Sequence, residues 1–208
     1  MIIAFYIIVL LFSVIVHEIS HGYIALWLGD ETAKRAGRLT LNPLAHIDLF
    51  GSIIFPLLLA ISGAPVFGWA KPVPYDPRFL KNPKKASGLI AFAGPVSNLL
   101  LAVIFAIFTR ILVIFPQTSV TVGMYLFFYI IIQTNIALAL FNFLPIPPLD
   151  GSGVLFSLLP YSFAPVERVL RQYGFIILII FVMSGAGFLG PLIGGVHSFL
   201  VGSGMPGL

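Results

Sequence analysis

Apolar residues run almost unbroken through three long stretches of the chain, residues 2–28, 86–115 and 122–143. Each is long enough to cross about 30 Å of hydrocarbon with some tilt. A shorter apolar run, 49–62, is interrupted by Pro56 and predicts a re-entrant or interfacial segment. The stretch 63–83 is rich in Pro, Gly and aromatics. It predicts an extended loop or hairpin at the membrane surface, with Trp69 and Tyr75 as interfacial anchors. Before it, Arg38, Leu39, Thr40 and Leu41 alternate polar with apolar and are closed by Asn42-Pro43, which predicts a short strand. After the third long run, Pro145, Pro147 and Pro148 cannot continue a helix, so unwound backbone is expected up to Asp150-Gly151. Unwound backbone at membrane depth is tolerated where it lines a cavity. Residues 165–172 form an amphipathic stretch, and 174–184 and 187–201 predict two further spans. The pattern predicts an all-α polytopic membrane protein. It would have about five to six transmembrane helices, with a short re-entrant or β-hairpin region between the first and second full spans.

Composition narrows the class further. The 208 residues are 59% hydrophobic and 9% charged, against about 25% charged in a soluble domain. No polar block is long enough for a second domain. The expectation is one membrane domain over 1–208, with a core at 2–160 and C-terminal helices at 161–203. The net charge of +4 reads as topology rather than nucleic-acid binding. Lys34, Arg35 and Arg38, then Lys71, Arg78, Lys81, Lys84 and Lys85, then Arg168 and Arg171 all fall on one side of the predicted spans. By the positive-inside rule that side is cytosolic, in what reads as a prokaryotic cell membrane. The first run lacks the basic start and small-residue cleavage site of a signal peptide, so it is expected to be a retained span. Cysteine is absent, which excludes thiolate ligands, thiol nucleophiles and a disulfide framework.

The chemistry is concentrated in Val16-His17-Glu18-Ile19-Ser20-His21-Gly22, inside the first apolar run. Residues four apart stack on one helix face, so His17 and His21 can reach one metal ion. Glu18 can take a proton from the attacking water as general base. Ionisable groups inside a span are costly and mark function. A catalytic zinc site keeps three protein ligands and one open position. Among the carboxylates, Asp30, Glu31, Asp76 and Glu167 lie in polar loops, and Asp48 sits beside His46. Asp150, following a span that returns to the same side, is the strongest candidate for the third ligand. Helix exit near Leu28 would place the site within the membrane but nearer the cytosol. Asn98 and Asn142 are the remaining intramembrane polar candidates, each also explicable as helix–helix glue.

These residues resemble the site-2 protease family, the intramembrane zinc metalloproteases of peptidase family M50. The resemblance rests on the His-Glu-Ile-Ser-His motif, Asn42-Pro43-Leu44-Ala45-His46-Ile47-Asp48, Gly94-Pro95-Val96-Ser97-Asn98, and the stretch from Asn142 to Gly151, in that order. It implies His17, His21 and Asp150 as ligands of one zinc ion and Glu18 as catalytic base. It also implies a core of three helices carrying the motifs, and a transmembrane segment of another protein as substrate within the lipid bilayer. No stretch reads as a PDZ or CBS domain, and Ser152 stands where a second glycine is common. The oligomeric state is left open. Two other readings compete: a transporter or ion-binding protein using the His, Glu and Asp groups as relays, and an inactive family member that binds transmembrane segments. A substrate must unwind before its peptide bond is attacked, and residues 38–41 or 65–73 are expected to receive it as an added strand. Asn98 and Asn142 are candidates to bind that substrate or the developing oxyanion.

Overall fold

Apolar side chains all round a helix suit a helix with lipid on one face and protein on the other. The computed structural model describes residues 2–63, 68–184 and 187–202. Its long helices follow the apolar runs closely. α1 spans Ile2–Trp27, and a single short turn, α2, follows at Thr32–Arg35. A π-helical turn at Leu49–Ile54 leads directly into α3, Phe55–Ser62. α4 spans Pro83–Leu112, α5 Ser119–Asn142, α6 Asp150–Leu158, α7 Ala164–Met183 and α8 Leu189–Val201. α1, α4 and α5 are long and apolar enough to cross a membrane.

Local signals set the boundaries. α4 begins where the Asn82 side chain accepts the Lys85 N–H, with Pro83 in the first turn, where its missing donor costs nothing. α5 begins with a reciprocal cap between Thr118 and Thr121. The prolines end the helical backbone after Asn142, but Asp150 is not in the unwound stretch as the sequence suggested. It is the first residue of α6, where a negative side chain is favoured by the helix dipole.

α4 is central and packs against α1, α5 and α6. Ala102 and Ala106, one turn apart, let Ile132 and Ile136 of α5 approach closely, and Val201 of α8 closes this cluster. A second cluster joins Ala25 of α1 to Ala86 and Ile90 of α4 through Leu80. The opposite faces of α1, α4 and α5 expose large apolar side chains such as Ile3, Ile7, Leu100, Ile107 and Leu126. That pattern is at ease only in lipid.

Among the described residues there is no strand. Residues 38–41 form bends and irregular backbone, and neighbouring side chains meet the polar groups that a ladder would pair. His46 Nε2 lies 2.8 Å from Thr40 O, and the Thr40 hydroxyl accepts the Asn42 N–H. Of the predicted receiving stretch 65–73, residues 65–67 lie outside the described residues. In the remainder, Lys71 N–H donates to His46 O and the Arg38 guanidinium donates to Lys71 O and Pro72 O. Those groups are already engaged within the chain.

Candidate metal centre

α1 brings His17 and His21 to one face, as a 3.6-residue repeat requires, with ring centroids 4.7 Å apart. α6 brings the Asp150 carboxylate to meet them. Asp150 Oδ2 lies 2.9 Å from His17 Nε2 and 3.4 Å from His21 Nε2. The three potential ligand atoms lie within 4.8 Å of one another.

The other ring nitrogens define what these contacts are. His17 Nδ1 is 2.7 Å from Asn98 Oδ1, and His21 Nδ1 is 2.6 Å from Ile90 O. The Ile90 carbonyl can only accept. The Asn98 amide is fixed with its oxygen toward His17, because its nitrogen donates to Ser13 O and Asn135 Oδ1. Each imidazole in its neutral form therefore carries its proton on Nδ1 and turns a bare Nε2 lone pair inward. Asp150 Oδ2 is accordingly buried without a hydrogen bond despite its two near neighbours. Three lone pairs converge with no proton between them, which is the donor set of a divalent cation with nitrogen and oxygen ligands. Gly94 leaves the room, since a Cβ there would come within 2.5 Å of both Nε2 atoms.

The supporting shell spans three helices. Asn98 and Asn135 are fully buried. Asn135 Nδ2 donates to Ser13 Oγ and to Ile131 O, so a continuous chain of hydrogen bonds runs from α5 through α4 to His17 on α1. Asn135 escaped the sequence reading. A lone asparagine in mid-span reads as helix glue, and the signal that could have raised it was its place on the same helix as Asn142. Asn98 was singled out, but its amide nitrogen and its oxygen are both engaged with protein groups. Asn142 is half-buried at the end of α5 and donates to Leu138 O.

Glu18 is half-buried, and its Oε2 accepts the Val73 N–H at 2.9 Å. The segment carrying Val73 was read as an extended loop or hairpin at the membrane surface, so this contact was also missed. His46 is not part of the cluster. It is buried and faces Thr40 O, while Asp48 caps the π-helical turn through Gly51 N–H. The Asn42–Asp48 motif thus shapes a loop, with Asn42 itself capping the turn at Pro43–Ala45.

Comparison with known proteins agrees with this geometry. The model of the family described as Peptidase family M50 matches residues 5–116 and 109–184. A Bacillus subtilis protein named "Putative zinc metalloprotease YwhC" is 41% identical over 185 residues, covering 87% of this chain and 81% of the relative. "Putative zinc metalloprotease Rip2" of Mycolicibacterium smegmatis is 31% identical over 179 residues, covering 85% of this chain and 65% of the relative. "Putative zinc metalloprotease MJ0611" of Methanocaldococcus jannaschii is 44% identical over 69 residues, a third of each chain. No solved structure matches the chain. With the family model spanning most of its length and a relative so similar over most of both chains, the protein belongs to peptidase family M50.

Proposed function

We infer that the protein is an intramembrane zinc metalloprotease that hydrolyses peptide bonds in or near transmembrane segments of other membrane proteins. One observation carries the reading: the bare lone pairs of His17 Nε2, His21 Nε2 and Asp150 Oδ2 meet inside a bundle of membrane-spanning helices. These three residues would hold one zinc ion. Zinc, when bound there, supplies the Lewis acid that polarises a peptide carbonyl and makes water nucleophilic near neutral pH. Asn98 Oδ1 and Ile90 O fix the two imidazoles by accepting their Nδ1 protons, which also raises the basicity of the ligands. Glu18, one position along α1 from His17, takes the proton of the attacking water on its carboxylate and returns it to the departing amine nitrogen. With its hydrogen-bonding directions occupied by protein, Asn98 suits the orienting of His17 better than oxyanion binding. Asn142, at the mouth of the unwound stretch, keeps the substrate-binding role.

Zinc proteolysis is better supported than the two competing readings. A relay would string titratable groups along a path, whereas these converge on one point. An inactive relative would be expected to lose a ligand or the base, and all four residues are present.

The topology we propose is a single domain with about five to six spans, α1, α4 and α5 among them, and a re-entrant segment at 49–62. Trp69 N–H donates to Gly51 O and Lys71 N–H to His46 O, so the chain returns beside its point of departure, which supports re-entry. Lys84 reaches Leu159 O and lies over the Tyr161 ring, which supports placing the basic loops on one face, cytosolic by the positive-inside rule. His17 then lies about 15 Å inside the exit of α1.

The test is zinc content and cleavage of a transmembrane substrate by the purified protein. Glu18→Gln keeps zinc and loses cleavage by about 10²–10⁴, the worth of general acid–base help. Asp150→Ala loses zinc. Equally tight zinc in Asp150→Ala would move the third ligand elsewhere, and a near wild-type rate in Glu18→Gln would remove it as the base.

A further inference from the structure

Residues 71–74 cross α1 beside Glu18, and the chemistry above does not use them. Their backbone is clamped from both ends. Lys71 N–H donates to His46 O at 2.9 Å, and the Arg38 guanidinium donates to Lys71 O at 2.6 Å and Pro72 O at 3.3 Å. Downstream, Asp76 N–H donates at 2.6 Å to Asp30 Oδ2. Asp30 is fully buried, and its other oxygen takes the N–H and hydroxyl of Thr32. Between these clamps the sequence is Pro72-Val73-Pro74. Proline has no N–H and holds its own φ near −65°, and the residue before it is pushed to extended backbone. The segment therefore offers one backbone donor, at Val73, and that donor meets Glu18 Oε2 at 2.9 Å.

The side-chain packing serves the same placement. Val73 is buried against α1 at Gly22, where a Cβ would come within 2.8 Å of Val73 Cγ1 and 2.5 Å of Leu39 Cδ2. Only a residue without a side chain lets the strap lie this close to the helix one turn beyond Glu18.

We propose that Val73 is a positioning residue for the peptide hydrolysis inferred above, its N–H holding one Glu18 oxygen so that the other is left to take the water's proton. The proposal rests on Glu18 as the base. Glutamate has three rotatable side-chain bonds, and position i+1 points about 100° round the helix from the His17 ligand. A base so placed is free to swing unless something fixes it. The strap fixes it from outside α1, while Arg38 and Asp30 fix the strap.

Replacing Val73 by α-hydroxyvaline in the full-length protein turns its amide into an ester, deleting the N–H and keeping the side chain. The expected result is retained zinc, unchanged KM and a kcat lower by about 10–100-fold, the cost of a misplaced base. The same ester at Tyr75, whose N–H has no hydrogen-bond partner among the described residues, leaves kcat unchanged. Arg38→Ala loosens the strap and lowers kcat in the same way, with partial rescue by Arg38→Lys. Hydrogen exchange supplies a readout independent of turnover. Residues 71–75 contain three amides, and the one at Val73 becomes fast in Glu18→Ala. Unchanged kcat in the ester variant, or a rise in kcat showing that the strap holds the base idle, overturns the proposal. So does unchanged exchange at Val73 in Glu18→Ala. A folded ester variant that loses zinc assigns Val73 a structural role and also overturns it. Wild-type cleavage by Glu18→Gln refutes the base itself, a separate failure.

Discussion

The helical bundle and the loop region between Trp27 and Pro83 satisfy their backbone by different means. In the bundle, backbone hydrogen bonds stay within each helix, and side chains such as Asn98 and Asn135 link helix to helix. In the loop region side chains hold irregular backbone in place. Arg38 and Asp30 meet backbone groups of a distant stretch, and Asp48 and His46 those of nearby residues. Helices satisfy their own backbone, so intramembrane polar side chains are free to orient ligands. Irregular backbone needs outside partners for every buried group. The result is a set of three potential ligands on the helices, with Glu18 held by a tethered strap.

The largest separation of the two regions should come from Gly94→Ala. Its methyl would sit within 2.5 Å of both Nε2 atoms, so zinc binding and cleavage are both lost. The loop region should remain as protected from proteolysis as in wild type. Next comes Asn135→Leu, which removes one of the two acceptors that hold the Asn98 amide nitrogen. Loss of a supporting hydrogen bond typically costs about 10–100-fold in metal affinity, read by competition with a chelator, again without loosening the loops. The smallest effect on the metal should come from Asp30→Ala. It leaves three donors without their acceptor, at about 1–3 kcal/mol each where they stay buried. Limited proteolysis within 71–82 should accelerate and cleavage of substrate should slow, with zinc affinity held. Loss of zinc in Asp30→Ala would show that the two regions are one cooperative unit and end the comparison.

Much of the bundle was legible because its signals are local. Apolar runs gave α1, α4 and α5 to within a few residues, and the four-residue spacing of His17 and His21 names a shared helix face. Asp150 was legible as a ligand candidate because polar choices at membrane depth are few, though its place at the start of α6 was not. Pro145, Pro147 and Pro148 say where helix stops, and nothing so plain says where it resumes. The strap was left open between loop and hairpin because alternation at 38–41 and prolines at 72–74 predict extended chain equally well whether it pairs as a strand or is held by side chains. Asn135 and the Val73 contact to Glu18 depend on residues far apart in the chain, and no spacing rule links them.

The hydrogen-bonded line from Asn135 through Asn98 to His17 also bears on how the protein is made. α1 enters the bilayer before α4 and α5, carrying both histidines and Glu18 without Asn98 or Asn135. Asn98 arrives with α4 and Asn135 with α5, and Asp150 is synthesised only after that. A nascent chain therefore cannot assemble the His17, His21 and Asp150 cluster until Asp150 emerges from the ribosome. A hydrolase built in this order is silent while its own unpacked helices, and those of neighbouring proteins under insertion, are most open to attack.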